Sequence, residues 1–152
     1  MAMKGAHMRL VFAISAAAAL LLASCGSGGS KAEEVTVSLK EWSVTPSLDD
    51  ITEGKVNFKV ANAGTIPHEF VVVKSDLSPE GLPVENGNVT EAQVNIIEEI
   101  EAFAAGTTRS LELDLTPGKY LLICNITEQP PGQRPVSHYQ NGMVAFFQVE
   151  PK

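Results

Sequence analysis

Alternation of apolar and polar positions dominates this chain from residue 35 onward. Val35-Thr-Val-Ser-Leu-Lys40 and Lys55-Val-Asn-Phe-Lys-Val60 each put every second residue on an apolar face, the period of a half-buried strand. Arg109-Ser-Leu-Glu-Leu-Asp-Leu115 alternates most cleanly. His68-Glu-Phe-Val-Val-Val-Lys74, Lys119-Tyr-Leu-Leu-Ile-Cys124 and Met143-Val-Ala-Phe-Phe-Gln-Val149 are further β-rich runs. Trp42, ahead of Val44 and Pro46, extends or bends the first strand. Asp49-Asp50, Glu53-Gly54 and Asn62-Ala63-Gly64 are turn chemistry, and Thr116-Pro117-Gly118 predicts a tight turn pairing its flanking strands as a hairpin. Residues 76–88, rich in Pro, Gly and Asn, read as a surface loop, and the QPPGQRP of 129–135 excludes strand and helix alike. Residues 91–105 leave two readings open, because Val94, Ile96, Ile97 and Ile100 fit either a short helix or an irregular strand. Short strands broken by Pro/Gly turns, without a long helical period, predict an all-β Greek-key sandwich or barrel with one short helix or irregular segment. There is no internal repeat and no second domain.

The N-terminal segment follows a different rule. Lys4, His7 and Arg9 precede an apolar run, LVFAISAAAALLLA, that ends at Ala23. At about 1.5 Å per residue this run falls short of a bilayer core of about 30 Å, which favours a signal segment over a permanent span. Leu22-Ala23-Ser24-Cys25 resembles the lipobox of bacterial lipoproteins, in which a diacylglycerol is joined to the cysteine sulfur before cleavage. Gly26-Ser-Gly-Gly-Ser30 follows as a flexible leash. The expected organisation is a lipoprotein signal peptide at 1–24, a Gly/Ser-rich tether at 25–33 with lipid on Cys25, and one domain at 34–152. Localisation follows: exported and lipid-anchored at the cell envelope, periplasmic or extracellular.

The chain has 152 residues, 44% hydrophobic and 19% charged, which is ordinary for a globular protein and excludes wholesale disorder. Beyond Cys25 it carries 9 basic and 18 acidic residues, a formal charge of −9. Such a surface repels phosphate backbones, so nucleic acid is not an expected partner. Cys25 and Cys124 lie in segments with different fates, which argues against a disulfide-stapled fold.

Scarcity then points to a metal. After the leader, and apart from the lipid-bearing Cys25, the chain keeps Cys124, His68, His138 and Met143 as its only soft or borderline donors. All four fall at strand ends or in the loop between the last two strands, and a sandwich gathers such ends at one pole. Two imidazoles, one thiolate and one thioether are the donor set of a blue-copper electron-transfer site. Soft sulfur suits Cu(I) and nitrogen suits Cu(II), so one intermediate arrangement needs little reorganisation when an electron arrives or leaves.

Thr65-Ile-Pro-His68-Glu-Phe, Gly118-Lys-Tyr-Leu-Leu-Ile-Cys124 and His138-Tyr-Gln-Asn-Gly-Met143 resemble the ligand motifs of the cupredoxins, the type 1 copper proteins that include plastocyanin, azurin and sulfocyanin. The resemblance covers about residues 34 to 150. It implies one type 1 copper ion held in plane by His68, Cys124 and His138, with Met143 as a weak axial ligand. It also implies a carrier rather than an enzyme, a monomer that passes single electrons between redox proteins such as a cytochrome c, a copper oxidase or a copper reductase. His138, placed in a loop, is expected to expose its ring edge as the electron's doorway, with Tyr139 and Gly142 beside it, and His68 is expected to be the more buried imidazole. The thirteen residues between Cys124 and His138 exceed the plastocyanin and azurin loops and look more like the sulfocyanin or nitrite-reductase arrangement.

Taken singly, Cys124, His68 and Met143 would each pass for a core or structural residue; their coincidence in order, spacing and strand context carries the copper reading. Methionine is a poor zinc ligand, a binuclear copper centre needs a second cysteine, and multicopper chemistry needs further paired histidines. Ser137-His138 offers no nucleophile–base geometry, and no G-x-S-x-G elbow occurs. The sequons Asn88-Val-Thr90 and Asn125-Ile-Thr127 are short and common; Asn125 either caps a turn or hydrogen-bonds backbone near the thiolate. The same donors would also serve a copper carrier or chaperone loading an envelope oxidase, although chaperones favour methionine-rich or exposed ligation. A third possibility is a metal-free, cupredoxin-shaped scaffold.

Overall fold

The computed structural model describes residues 31–152. The leader 1–24, Cys25 and the tether up to residue 30 lie outside the described residues. In chain order the strands are β1 (Glu33–Lys40), β2 (Ser43–Pro46), β3 (Asp50–Thr52), β4 (Gly54–Asn62), β5 (His68–Lys74), β6 (Val84–Glu85) and β7 (Asn88–Val89), followed by a 3-10 turn (Glu91–Gln93). Then come β8 (Asn95–Phe103), β9 (Thr108–Leu115), β10 (Gly118–Ile123), β11 (Thr127–Glu128), β12 (Val136–Ser137) and β13 (Val144–Glu150). One sheet has the order β2-β1-β4-β9 and the other β3-β13-β10-β5-β8. Both are mixed: β1 runs parallel to β4 and β3 parallel to β13, with antiparallel pairing elsewhere.

Alternation explains which face each strand buries. Val35, Val37 and Leu39 of β1 and Val56, Phe58 and Val60 of β4 point inward from the first sheet, and Phe70, Val72, Tyr120, Leu122, Phe147 and Val149 meet them from the second. Phe58 stands at the centre, 5.4 Å in ring-centroid distance from both Phe70 and Phe147. Burying each aromatic here contributes on the order of 2–3 kcal/mol.

The run Phe70-Val-Val-Val73 is continuous because β5 is buried on both faces. Its outer side, Val71 and Val73, packs with Leu121, Ile123, Leu82, Val89 and Tyr139 beneath the excursion at 75–94. Residues 76–88 of that excursion are expected to be a surface loop. The excursion contains the β6–β7 hairpin, whose Asn86-Gly87 turn holds φ of 52° and 92° as a two-residue reversal requires. Residues 91–105 resolve as the 3-10 turn followed by β8, an irregular strand whose register against β5 shifts between His68 and Phe70 and between Val72 and Val73.

One pairing differs from expectation. β9 and β10 do not form a hairpin: β9 pairs with β4 in the first sheet, while β10 pairs with β13 and β5 in the second. The turn at Thr116-Pro117 carries the chain across the sandwich. Apolar residues on both strands face the same interior from opposite sides, so their alternation is the same in either arrangement.

Candidate metal centre

The strand pattern itself gathers the donors. His68 opens β5 with the inward parity of Phe70 and Val72, and Cys124 follows β10 with the inward parity of Tyr120 and Leu122. Because β5 and β10 are antiparallel with Ile123 opposite Val71, the start of one and the end of the other meet at the same pole. His138 enters from the loop after β12. Its carbonyl accepts the Met143 amide at 3.0 Å, and the Met143 carbonyl accepts the Cys124 amide at 3.1 Å. Gly142, between them, has φ of 112°, a conformation that favours glycine.

The thirteen-residue separation between Cys124 and His138 does not leave His138 loose. β11 and β12 zip the base of that loop, Thr127 opposite Ser137 and Glu128 opposite Val136, and the His138 amide donates to the Ile126 carbonyl at 2.8 Å. Beyond β11 the stretch 129–135 stays irregular, as its prolines predict.

Three donor atoms converge. Nδ1 of His68 lies 3.2 Å from Nδ1 of His138, and Sγ of Cys124 lies 3.9 Å and 3.3 Å from them respectively. An ion about 2.0–2.1 Å from each nitrogen and about 2.3 Å from sulfur in one plane needs edges of about 3.5–3.8 Å. The triangle therefore fits a single ion with small adjustments, and its composition fits one type 1 copper site. The far nitrogens agree with this. Nε2 of each imidazole is buried without a well-aligned hydrogen bond, and each faces a carboxylate, Glu41 Oε1 at 3.3 Å for His68 and Glu128 Oε1 at 3.9 Å for His138. Protons on both Nε2 atoms would leave both Nδ1 lone pairs turned toward the metal.

His68, Cys124, His138 and Met143 are all fully buried. The expected exposed edge of His138 is absent: Trp42, 36% exposed, covers it edge-on, and His68 is no more buried than His138. Met143 belongs to the same core cluster as Cys124. Burial sets the protonation of the metal-free site. It pushes the Cys124 thiol up to about 11 and holds both imidazoles below their ordinary value, although Glu41 pulls His68 back up. The Glu69 amide donates to Cys124 Sγ at 3.4 Å, while its carboxylate, raised by burial to about 7, accepts the Asn125 amide at 2.6 Å. The Thr65 amide and its neighbours hold Glu41 down at about 2.

The excursion at 75–94 is fastened to residues that flank the ligands. Asn125 Oδ1 accepts the Val89 amide at 2.5 Å and its Nδ2 donates to the Val89 carbonyl at 3.1 Å. Asn125 therefore bonds backbone beside the thiolate. Ser137 Oγ donates to the Gly87 carbonyl, and Tyr139 Oη donates to the Pro79 carbonyl at 2.5 Å while accepting the Leu82 amide at 3.2 Å. Tyr139 is buried by these contacts and is no part of an exposed face. Glu41, Trp42 and Glu69 escaped the sequence reading, since nothing local distinguishes them from solvent-facing residues on a strand or turn.

Known structures share this architecture. Auracyanin B aligns with a TM-score of 0.54 at 21% identity, over 79% of this chain and 90% of its own. The dithionite-reduced auracyanin of the photosynthetic bacterium Roseiflexus castenholzii aligns at 0.52 and 19%, over 79% and 98%. Auracyanin A, a "blue" copper protein from the green thermophilic photosynthetic bacterium Chloroflexus aurantiacus, aligns at 0.52 and 18%, over 79% and 100%. No protein-family model and no curated protein sequence matches the chain. At these identities the likeness carries the fold: the chain has the cupredoxin fold, as its motifs imply.

Proposed function

We propose that the protein is a mononuclear blue-copper electron carrier working at the cell envelope. The observation that carries this reading is the buried triangle of His68 Nδ1, His138 Nδ1 and Cys124 Sγ, with edges of 3.2, 3.3 and 3.9 Å. One copper ion bound there supplies a one-electron couple. His68, Cys124 and His138 would hold it, with the buried Met143 as a further soft donor beside them. The protein's part is to keep those donors still: the Cys124 and Met143 amides tie three ligand residues together, and the Glu69 amide favours the thiolate over the thiol.

Complete burial of the donors supports a carrier over an enzyme, because catalytic metal sites keep a position open to substrate. It also supports electron transfer over copper delivery, since a metallochaperone must surrender its ion. Lipid on Cys25 would hold the domain at the envelope by the tether 25–33 after loss of 1–24. Among the described residues no helix is long and apolar enough to cross a membrane. A monomer of formal charge −9 suits redox partners with basic faces, such as a cytochrome c or a copper oxidase or reductase.

Copper titration of the metal-free domain tests the reading. One Cu(II) per chain, intense thiolate-to-copper absorption and a small parallel hyperfine splitting are expected, all lost in Cys124→Ala. A colourless copper complex, or unchanged copper affinity in Cys124→Ala, would overturn it.

A further inference from the structure

We propose that Glu41 is a positioning residue that sets a fixed negative charge against His68 and thereby favours the oxidised metal and lowers the reduction potential. This rests on the copper reading for its redox part only. Glu41 opens the turn between β1 and β2, far from His68 in sequence, yet its Oε1 lies 3.3 Å from His68 Nε2. The same oxygen accepts the backbone amides of Thr65 at 2.7 Å and Ile66 at 3.0 Å, with the Thr65 hydroxyl at 3.4 Å. The strand approach to His68 is thus wrapped around one carboxylate oxygen.

Two further observations make this a built contact rather than a passing one. His68 Nε2 is fully buried and has no other well-aligned partner, so its proton has the carboxylate as its recipient. At Gly64, an added Cβ would lie 2.6 Å from Glu41 Oε1 and 2.8 Å from His68 Nε2, so the absence of a side chain there is what lets the two groups meet.

The chemistry follows from charge. A carboxylate on the outer nitrogen of a metal-bound imidazole makes that ligand more basic and fixes its tautomer, and loss of such a partner typically costs 10–100-fold in metal affinity. The effect is larger for the more highly charged ion, so it favours Cu(II) over Cu(I). A neutral acceptor in the same place would fix the ring without that bias.

Glu41→Gln separates the two roles, because its amide oxygen still accepts the Thr65 and Ile66 amides while the charge is gone. The expected result is a fall of at least about tenfold in the ratio of Cu(II) to Cu(I) affinity, read as an upward shift of about 59 mV or more in potential. Zinc supplies a reading independent of redox chemistry: Zn(II) affinity falls at least about tenfold in the variant. Gly64→Ala keeps the charge but displaces it, and shifts both readings in the same direction. It also serves if Glu41→Gln does not fold. Zinc affinity and potential within twofold of wild type, after conversion, would overturn the role of Glu41. A wild-type protein that takes up copper without colour, yet loses zinc affinity in Glu41→Gln, would sink the electron-carrier reading and leave Glu41 in place as a support of the metal site.

Discussion

Trp42 stands edge-on over His138, with ring centroids 5.0 Å apart and planes at 68°, and it shares the cover of that imidazole with Glu128, whose Oε1 lies 3.9 Å from Nε2. The indole, 36% exposed, reaches from that buried ring to the surface. It is the only tryptophan of the chain, so its fluorescence reports the site directly. Cu(II) loading should quench most of the emission, whereas Zn(II), which has no redox or d–d states to accept the energy, should leave most of it. In the zinc-loaded protein Trp42→Ala should speed solvent exchange of the His138 Nε2 proton at least tenfold by NMR. Unchanged exchange would show that the ring is shielded by something else.

The metal-free site is nearly neutral, which fixes the sign of its pH dependence. Burial raises the Cys124 thiol to about 11 and lowers both imidazoles, so at pH 7 the thiol holds its proton and the rings are uncharged. Metal binding requires the thiolate and therefore releases about one proton. Apparent affinity should rise about tenfold per pH unit from neutrality toward pH 11. Below the depressed imidazole values the slope should steepen, because the rings then compete for protons as well. Calorimetry of Zn(II) binding in two buffers of different ionisation enthalpy measures the released proton. Release near zero at pH 7 would mean that the thiolate pre-exists.

Much of this centre is legible in the sequence. His68, Cys124 and His138 stand out because residues 26–152 hold so few soft donors, and strand parity alone sends His68 and Cys124 inward. The β9–β10 crossover was not legible, since Leu113 and Leu115 alternate with polar residues whether Tyr120 pairs beside them or faces them across the core. The β6–β7 hairpin carried an Asn-Gly signal, but on strands too short for an alternating pattern. Trp42 and Glu41 had no signal at all. Their roles arise from a turn folding back onto ligands that come later in the chain, and that is a property of tertiary structure alone.

Phe58 tests the core that holds the two sheets in register. It is fully buried and touches Phe70 of β5 and Phe147 of β13, the two strands that flank β10 in the facing sheet. Phe58→Ala removes those contacts and leaves a cavity that backbone on both sides resists closing. The expected loss is about 3–5 kcal/mol, read from chemical denaturation of the metal-free domain. A loss under about 1 kcal/mol would mean that the sandwich collapses around the gap.

Tyr139 tests whether the excursion at 75–94 braces the ligand loop. Its hydroxyl is the shared partner of the Pro79 carbonyl and the Leu82 amide, and its ring packs with Leu82 and Val89 against the outer face of the second sheet. Tyr139→Phe keeps the ring and removes the hydroxyl, leaving a buried amide and carbonyl unpaired, a cost of about 1–3 kcal/mol. Because Asn125 and Ser137 still fasten the hairpin through Val89 and Gly87, the loss should be local rather than global. Hydrogen exchange at the Leu82 amide should therefore accelerate at least tenfold, with the Val89 amide changing less and the core strands β4 and β10 unchanged. Equal acceleration at Leu82 and Val89 would mean that the excursion opens as one unit, with Tyr139 as its principal fastening to the His138 loop.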